Sequence, residues 1–305
     1  KKEVAEAAGF TVVPILENHI EEFERVANNA QQLGFLSAYH QLSESIDLIN
    51  LVSDQLLAEW SKNRPDIVIA DFITLSGGLV ANQLGIPWIT TMATQFVLET
   101  TDGPPCLIGG MGSPKNFWQA TIQFLGRKAT RIVKRIVSFS FRNRLKRYKF
   151  KLYNQLGHET IYSPYSILAI GMKELELKKG FPDHFLWVGP SGASVEAGED
   201  YPLDLTPFKE HKKVFMTCGT QLAWAKENLI YQAKQLAKAH PDCHFFVTRG
   251  LGGEAFQCEN LMENLSLVSY LPYKEYIPQM DYVIHHGGAG IFYQCIIYGK
   301  PALIL

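Results

Sequence analysis

The chain has 305 residues, of which 47% are hydrophobic and 19% are charged, and its formal net charge at pH 7 is −1. This length predicts roughly two domains with an ample core, and this composition is typical of a globular protein. No apolar run reaches the roughly 18 to 20 residues of a membrane-spanning helix. The five cysteines are widely scattered, with no CxxC pair and no metal-ligand spacing, which predicts free thiols in a reducing cytoplasm.

Short apolar runs alternate with helical stretches, a pattern typical of parallel sheets with helical crossovers. The chain starts on the end of a helix, at residues 1–8, and leads into a first predicted strand at 11–16. The other strands are predicted at 67–70, 88–91, 167–171, 214–217, 244–248, 265–269, 282–285 and 302–305. Most of these runs consist of Val, Ile, Phe and Leu, so strands covered on both faces are expected.

Residues 117–151 form a basic stretch. Between Gly103 and His158 the sequence contains no Asp or Glu, and residues 127–151 hold eleven of the 29 Lys and Arg residues. Apolar residues recur in this stretch at roughly helical spacing, together with large aromatic groups: Trp118, Ile132, Val133, Ile136, Val137, Phe139, Phe141 and Tyr148. A basic amphipathic helix of this kind is typical of a membrane-surface element. The alternatives are a helix packed against the protein with a solvated basic face and, less favoured, a nucleic-acid-binding element, for which no recognition motif is present.

Residues 190–207 interrupt the alternation of strands and helices. They are rich in Gly, Ser, Pro and acidic residues and have no apolar period, which predicts an interdomain linker. We therefore expect an N-terminal domain over 1–189, which includes the basic stretch at 117–151, and a linker with a C-terminal domain over 190–305. A doubly wound domain normally opens with a strand and a Gly-rich turn, so a first βα unit is predicted to be missing.

A glycine-rich turn follows the strand predicted at 282–285. The sequence reads HHGGAG from His285 to Gly290, and a helix is predicted to begin at about Ala289. Glycines at such a turn let backbone N–H groups approach a ligand closely, and the helix N-terminus favours an anion such as a phosphate. His286 adds a hydrogen-bond donor for a phosphate oxygen, its alternative being a satisfied core histidine. His285 is expected to be packed or solvated.

This turn and the segment before it, 268–278 (VSYLPYKEYIP), resemble the donor-binding signature of the UDP-sugar-dependent glycosyltransferases of the GT-B fold. That family, family 1, includes plant secondary-metabolite, macrolide and glucuronosyl transferases. The matching positions are Tyr270, Pro272, Asp281, His286, Gly287, Gly288, Gly290, Gly299 and Pro301. Further matches at 65–87, 185–190 and 214–220 extend the resemblance over essentially the whole chain.

The resemblance implies an α/β chain of two Rossmann-like domains whose parallel sheets face each other across a cleft. Domain 1–189 would bind the acceptor. Domain 190–305, with its C-terminal end missing, would bind the nucleotide-sugar. Family members move a hexose, with inversion, from a UDP-sugar to a hydroxyl, and the basic stretch suits a small lipophilic acceptor. Neither a metal nor another cofactor is implied. A cytoplasmic protein is expected, either free or peripheral on the inner face of the membrane.

The resemblance also implies roles for single residues. Tyr270 would stack on the uracil, and Asp71 stands where the family has a carboxylate that orients the catalytic His, which no residue of this chain can supply. The implied nucleotide-sugar-binding set is Gly219, Thr220, Tyr270, Leu271, His286, Gly287, Gly288, Ala289, Gly290 and Gln294. Each role has a simpler alternative: a rim aromatic for Tyr270, and helix caps for Asp71 and Thr220.

Departures from the family pattern weaken some of these roles. Ile291 replaces a Ser or Thr that touches a phosphate, Gln294 replaces a Glu that binds the ribose hydroxyls, and Tyr273 replaces a Gln. We therefore expect weaker nucleotide binding than is typical, and very poor transfer by this chain. The alternative functions are a MurG-type transferase acting on a lipid-linked sugar, a nucleotide-sugar epimerase, and a catalytically inactive nucleotide-binding fragment.

Overall fold

The computed structural model describes residues 2–19, 35–190, 202–219, 225–250 and 256–305. The chain divides into two compact units, Lys1–Gly189 and Pro190–Leu305. The division lies where the predicted linker begins, and residues 191–201 of that linker lie outside the described residues. Among the described helices, none is both long enough and apolar enough to cross a bilayer.

The first unit is built on a four-stranded parallel sheet. Its strands are β1 (Val68–Asp71), β2 (Trp88–Met92), β3 (Ile167–Ala169) and β4 (Phe185–Trp187), paired in this order. Its helices are α1 (Lys2–Ala7), α2 (Phe35–Lys62), α3 (Leu75–Leu84) and α4 (Phe117–Ser140). Trp88 is almost fully buried beneath α3 and requires a glycine above it, because a Cβ on Gly78 would lie 2.4 Å from Trp88 Cη2.

Two features of this unit differ from the sequence prediction. The strand predicted at 11–16 is wrong, since these residues form neither a helix nor a strand. Pro14 has no N–H to donate to a neighbouring strand, and Leu16 has a φ of 68°, outside the strand region. Conversely, β4 was not predicted as a strand, although its apolar residues pair in register with β3.

The second unit is built on a six-stranded sheet in the order β10-β9-β5-β6-β8-β7. The strands are β5 (Lys212–Thr217), β6 (Cys243–Thr248), β7 (Cys258–Met262), β8 (Leu265–Val268), β9 (Tyr282–His285) and β10 (Ala302–Ile304). Every pair is parallel except β7–β8. The five strands predicted in this half are confirmed within one or two residues. The antiparallel strand β7 was missed, because it is a mostly exposed edge strand without an apolar run.

Both faces of this sheet are buried at its central strands. Val214 and Met216 of β5 pack on the side of α5 (Lys226–Ala239), which contributes Leu229 and Ala233. Phe215 points to the opposite face, which is covered by α6 (Tyr273–Tyr276) and α7 (Ala289–Ile297). The strands β6, β7 and β8 that follow β5 all lie on one side of it, and the chain then returns to place β9 on the other side. This reversal makes the carboxyl ends of β5 and β9 the switch point where such sheets bind ligands.

Candidate nucleotide-binding site

The two turns at the switch point are held next to each other by strand pairing. β5 and β9 are parallel neighbours, with Thr217 opposite His285 at their carboxyl ends. The residues that follow these two positions, Cys218-Gly219 after β5 and His286-Gly287-Gly288 after β9, therefore leave the sheet side by side. The Gly219 and His286 positions, 67 residues apart in the sequence, are brought together by the strand order.

The turn after β5 is fixed from below by two buried hydroxyls. The Gly219 N–H donates to Thr217 Oγ1 at 3.0 Å, and the Thr248 hydroxyl donates to the same oxygen at 2.8 Å. Tyr273 also hydrogen-bonds with Thr217, although burial is the larger effect and raises the pKa of this tyrosine. Gly219 has a φ of 70°, a conformation that favours glycine. Thr220, predicted to contact the diphosphate, lies outside the described residues.

The turn after β9 is fixed by His285. This side chain is fully buried, and its Nδ1 accepts the Gly287 N–H at 3.0 Å. Burial, together with the neighbouring His286, lowers the pKa of His285 and favours the neutral ring. Gly287 has a φ of 81°, so the turn requires glycine there as well. His285 is thus packed and shapes the turn rather than facing a ligand.

His286 lies between the two turns. A Cβ on Gly219 would come within 2.9 Å of His286 Cε1, and a Cβ on Gly288 would come within 2.5 Å of its Nε2. Either contact is closer than real Cβ atoms show, so both positions must lack a side chain for the ring to lie as it does. In the described part of the chain, His286 Nδ1 is buried without a hydrogen-bond partner. The two glycines therefore fix the ring where the two turns meet.

The N-terminus of α7 lies beside this ring. Gly288 is its N-cap residue, and among the described residues no side chain caps the helix there. Gly290, in the first turn, is exposed, and no described atom lies within 4 Å of the position of a Cβ on it. The first backbone N–H groups of a helix have no intrahelical partners and attract anions. Ile291 is buried in the apolar core, so its side chain does not take the phosphate-contacting role of the Ser or Thr that it replaces in the family pattern.

The side chains of three other predicted site residues of this unit are partly or fully buried. Tyr270 follows β8, two strands from β5, and is half-buried against the apolar core, while the Leu271 side chain is fully buried. Gln294 lies in the second turn of α7 and is also buried. The structure therefore brings Gly219, His286, Gly287 and Gly288 into contact distance, and puts Tyr270 at the same edge of the sheet. Base stacking by Tyr270 and ribose binding by Gln294 stay predictions.

Asp71 belongs to the other unit. It ends β1, is exposed, and its Oδ1 accepts the Ile73 N–H at 3.0 Å, while its carbonyl accepts the Thr74 N–H at 2.8 Å. This is the turn that a short acidic side chain commonly forms before a helix, here α3. Its orienting role stays a prediction.

Sequence reasoning missed Thr217 and Thr248, which support the site. The available signal was a hydroxyl residue at the last position of each of two buried strands. Over the described residues, no group of three or more His, Cys, Asp or Glu is arranged to hold a metal ion.

Comparison with known proteins agrees with this architecture. Residues 213–305 match the glycosyltransferase family 28 C-terminal domain. The chain is 23% identical over 269 residues to the NDP-glycosyltransferase YjiC of Bacillus subtilis (strain 168), covering 87% of this chain and 59% of that protein. It is 24% identical over 334 aligned positions to the UDP-glucuronosyltransferase 2A3 of Cavia porcellus, covering 97% of this chain and 60% of that protein. The chain thus spans about three-fifths of the length of these relatives.

Solved structures give the same result for the fold. CalG4, the calicheamicin glycosyltransferase, superimposes with a TM-score of 0.60 at 15% identity, covering 100% of this chain and 70% of that one. The spinosyn rhamnosyltransferase SpnG, complexed with thymidine diphosphate, gives a TM-score of 0.56 at 14% identity, covering 98% and 69%. The predicted GT-B fold is confirmed.

Proposed function

We propose that this chain, which has the GT-B fold and carries a family 28 C-terminal domain, serves in a glycosyltransferase that moves a hexose from a UDP-sugar to a hydroxyl of a small lipophilic acceptor. The observation that carries the proposal is the position of His286, held between Gly219 and Gly288 beside an uncapped helix N-terminus at the switch point of the sheet. This arrangement supports binding of the diphosphate, because the His286 ring and the first backbone N–H groups of α7, at the positive end of the helix dipole, can donate hydrogen bonds to one small region.

The nucleoside part of the donor is assigned by position. The diphosphate at the β5 and β9 turns leaves the base to extend along the carboxyl edge of the sheet toward Tyr270, which follows β8. The aromatic ring would stack on the base, and the Leu271 backbone would select uracil. Gln294 would bind a ribose hydroxyl without the charge assistance of a carboxylate. Two structural neighbours are described as complexes with thymidine diphosphate, so a nucleoside diphosphate suits this fold.

The reaction that we propose is a single displacement with inversion. An acceptor hydroxyl attacks the anomeric carbon, the bond from that carbon to the diphosphate oxygen breaks, and the hydroxyl proton passes to a general base. Charge that develops on the departing diphosphate is stabilised by the α7 N-terminal amides and His286, so no metal is required. Asp71, at the end of β1, would orient the base rather than act as one.

Donor binding tests the proposed contacts of Tyr270 and Leu271 with the nucleobase. Calorimetric titration of the 305-residue chain should give tighter binding of UDP than of ADP. Tyr270→Ala should weaken UDP binding about fivefold or more, the usual effect of losing an aromatic–base stack. Tyr231→Ala is the matched control, because Tyr231 is an exposed tyrosine on α5 of the same unit. Equal affinity for UDP and ADP would contradict the selection of uracil by the Leu271 backbone, and an equal loss in the two variants would remove Tyr270 from the site.

Transfer activity tests whether a residue of this chain acts as the general base. A missing base typically lowers turnover by about 10²–10⁴-fold. We therefore expect residues 1–305 to transfer glucose from labelled UDP-glucose to a hydrophobic alcohol very poorly. Rapid turnover by this chain would mean that one of its own residues is the base, and the role given to Asp71 would be wrong. UDP binding without turnover supports the proposed donor site.

A further inference from the structure

Helix α4 lies on the first unit with its polar side facing inward. Gln123 is buried and donates from Nε2 to the Gly112 carbonyl at 2.7 Å. Lys134 lies on the same side and donates from Nζ to Glu159 at 2.6 Å and to the Val97 carbonyl at 3.0 Å. This arrangement is the reverse of an ordinary amphipathic helix, whose apolar side faces the core.

Further contacts fix the helix in this orientation. Arg131 pairs with Glu99 at 3.1 Å and donates to the Gly157 carbonyl at 2.8 Å. Arg127 hydrogen-bonds to the Gly103 carbonyl. The helix also approaches the protein closely at Gly126, where a Cβ would lie 2.9 Å from Pro105 Cγ. A helix held by buried ion pairs on one side cannot turn its other side inward without leaving charges unpaired.

The outward side of α4 is a continuous apolar stripe. The exposed fractions are 73% for Trp118, 56% for Ile122, 59% for Leu125, 56% for Ile132, 61% for Ile136 and 64% for Phe139. We call these six residues the outer stripe. Their spacing of three, four or seven residues places them on one line along a helix about 36 Å long. A stripe of this length is larger than the scattered apolar residues of an ordinary surface and marks an interaction site.

Charge on one flank of the outer stripe indicates what covers it. Lys128 and Arg135 are exposed and lie seven residues apart, so they follow the stripe along one side of α4, and the exposed Arg142 comes just after the helix ends. The Arg142 guanidinium lies 3.8 Å from the centre of the Phe139 ring, and Lys128 Nζ lies 5.4 Å from that of Phe124. A second copy of this chain would bring two such basic rows together, and the segment from Gly103 to His158 has no acidic residue to offset them. An anionic surface is complementary to this flank.

We propose that α4 lies flat on an anionic lipid bilayer, with the outer stripe inserted among the acyl chains and with Lys128, Arg135 and Arg142 at the level of the phosphates. Long basic side chains extend along apolar surface in this way while their charges stay in the headgroup layer. Trp118, at the start of the helix, suits the same interface. Packing through the apolar side, the alternative left open by the sequence, is wrong for the outer stripe, because these side chains are exposed. The inference does not depend on sugar transfer.

Vesicle binding tests this inference. The 305-residue chain is sedimented with vesicles of phosphatidylcholine alone or with 30 mol% phosphatidylglycerol. We expect binding at least tenfold tighter to the anionic vesicles, weakened by added salt, and a blue shift of tryptophan emission that Trp118→Phe removes. Lys128→Gln/Arg135→Gln should lose about fivefold for each charge removed. Ile132→Glu/Ile136→Glu should abolish binding.

The matched control is Tyr231→Glu/Gln235→Glu, which adds the same two charges to exposed positions of α5. It should bind like the wild type apart from a small charge effect, and circular dichroism should show all variants folded. Equal binding by the two double-Glu variants, or no binding to anionic vesicles by a folded wild type, would overturn the proposal. A dimer that only Ile132→Glu/Ile136→Glu dissociates, with no vesicle binding, would overturn it in favour of a protein partner.

Discussion

The imidazole of His286 lies so close to the Gly219 backbone that a Cβ on Gly219 would come within 2.9 Å of His286 Cε1. These residues follow different strands, β9 and β5, and meet only because the two strands pair in parallel at the switch point of the sheet. The position of the His286 side chain, in the turn after β9, therefore depends on a glycine at position 219, in the turn after β5. Donor binding should therefore depend on both residues.

Gly219→Ala should reduce UDP affinity more than its effect on stability explains. The substitution puts a side chain at a φ of 70° and forces the His286 ring to move. A left-handed alanine is strained by about 1–2 kcal/mol. Gly299→Ala is the matched control, since Gly299 has a φ of 60° and no described atom lies within 4 Å of its Cβ position. Thermal unfolding should show a similar loss for both variants, whereas calorimetry should show weakened UDP binding for Gly219→Ala alone. Equal UDP affinities in the two variants would contradict the contact's role.

Thr217→Val should destabilise the second unit and loosen its site. The variant removes the acceptor of the Gly219 N–H and of the Thr248 hydroxyl, both of them at a buried position. Leaving buried donors unpaired costs about 1–3 kcal/mol. Urea unfolding should measure this loss, and Thr217→Ser should recover most of it because the hydroxyl is kept. If Ser and Val behave alike, the hydroxyl does not hold the turn.

Lys134→Met should strongly destabilise the first unit at pH 7. The substitution leaves Glu159 buried without its cation, which typically costs about 3–5 kcal/mol. Burial already raises the pKa of Glu159, with Lys134 opposing the shift. In the folded variant the carboxyl therefore takes up a proton more readily than in the unfolded chain, so the destabilisation should be smaller at pH 5 than at pH 7.

Lys134→Met/Glu159→Gln provides the control for this pair, because it removes both charges. Urea unfolding of this double variant should recover most of the stability lost in Lys134→Met. An equal loss in the single and double variants at both pH values would show that an unpaired Glu159 charge is not the cause of the destabilisation.

Much of the fold could be predicted from local sequence patterns, whereas contacts between distant segments could not. The runs that became β5, β6, β8 and β9 are mostly apolar, because both faces of the sheet are covered at its central strands. β7 is exposed at an edge and lacks that pattern, and at 11–16 an apolar run lacks the backbone donor at Pro14. The glycine-rich turn at His286 could also be predicted, since glycine is the residue that most readily adopts a positive φ.

The two central relationships of the structure depend on residues far apart in the sequence. The amphipathic pattern of α4 does not specify which side faces inward. That choice is made by Glu99, before the helix, and by Glu159, after it. Likewise, the contact between His286 and Gly219 depends on β9 returning to pair with β5, and a list of predicted strands does not give their order.

Calorimetric titration of UDP into the wild type, His286→Ala and His240→Ala tests the proposed donor site most directly. His240 is an exposed histidine just before β6. It lies at the amino ends of the parallel strands, whereas the site lies at their carboxyl ends, so its substitution controls for the loss of a histidine. We predict that His286→Ala weakens UDP binding by about 1.5–3 kcal/mol, or roughly 10- to 150-fold, while His240→Ala binds like the wild type. Wild-type affinity in His286→Ala, or a folded wild type that does not bind UDP, would contradict the proposed site.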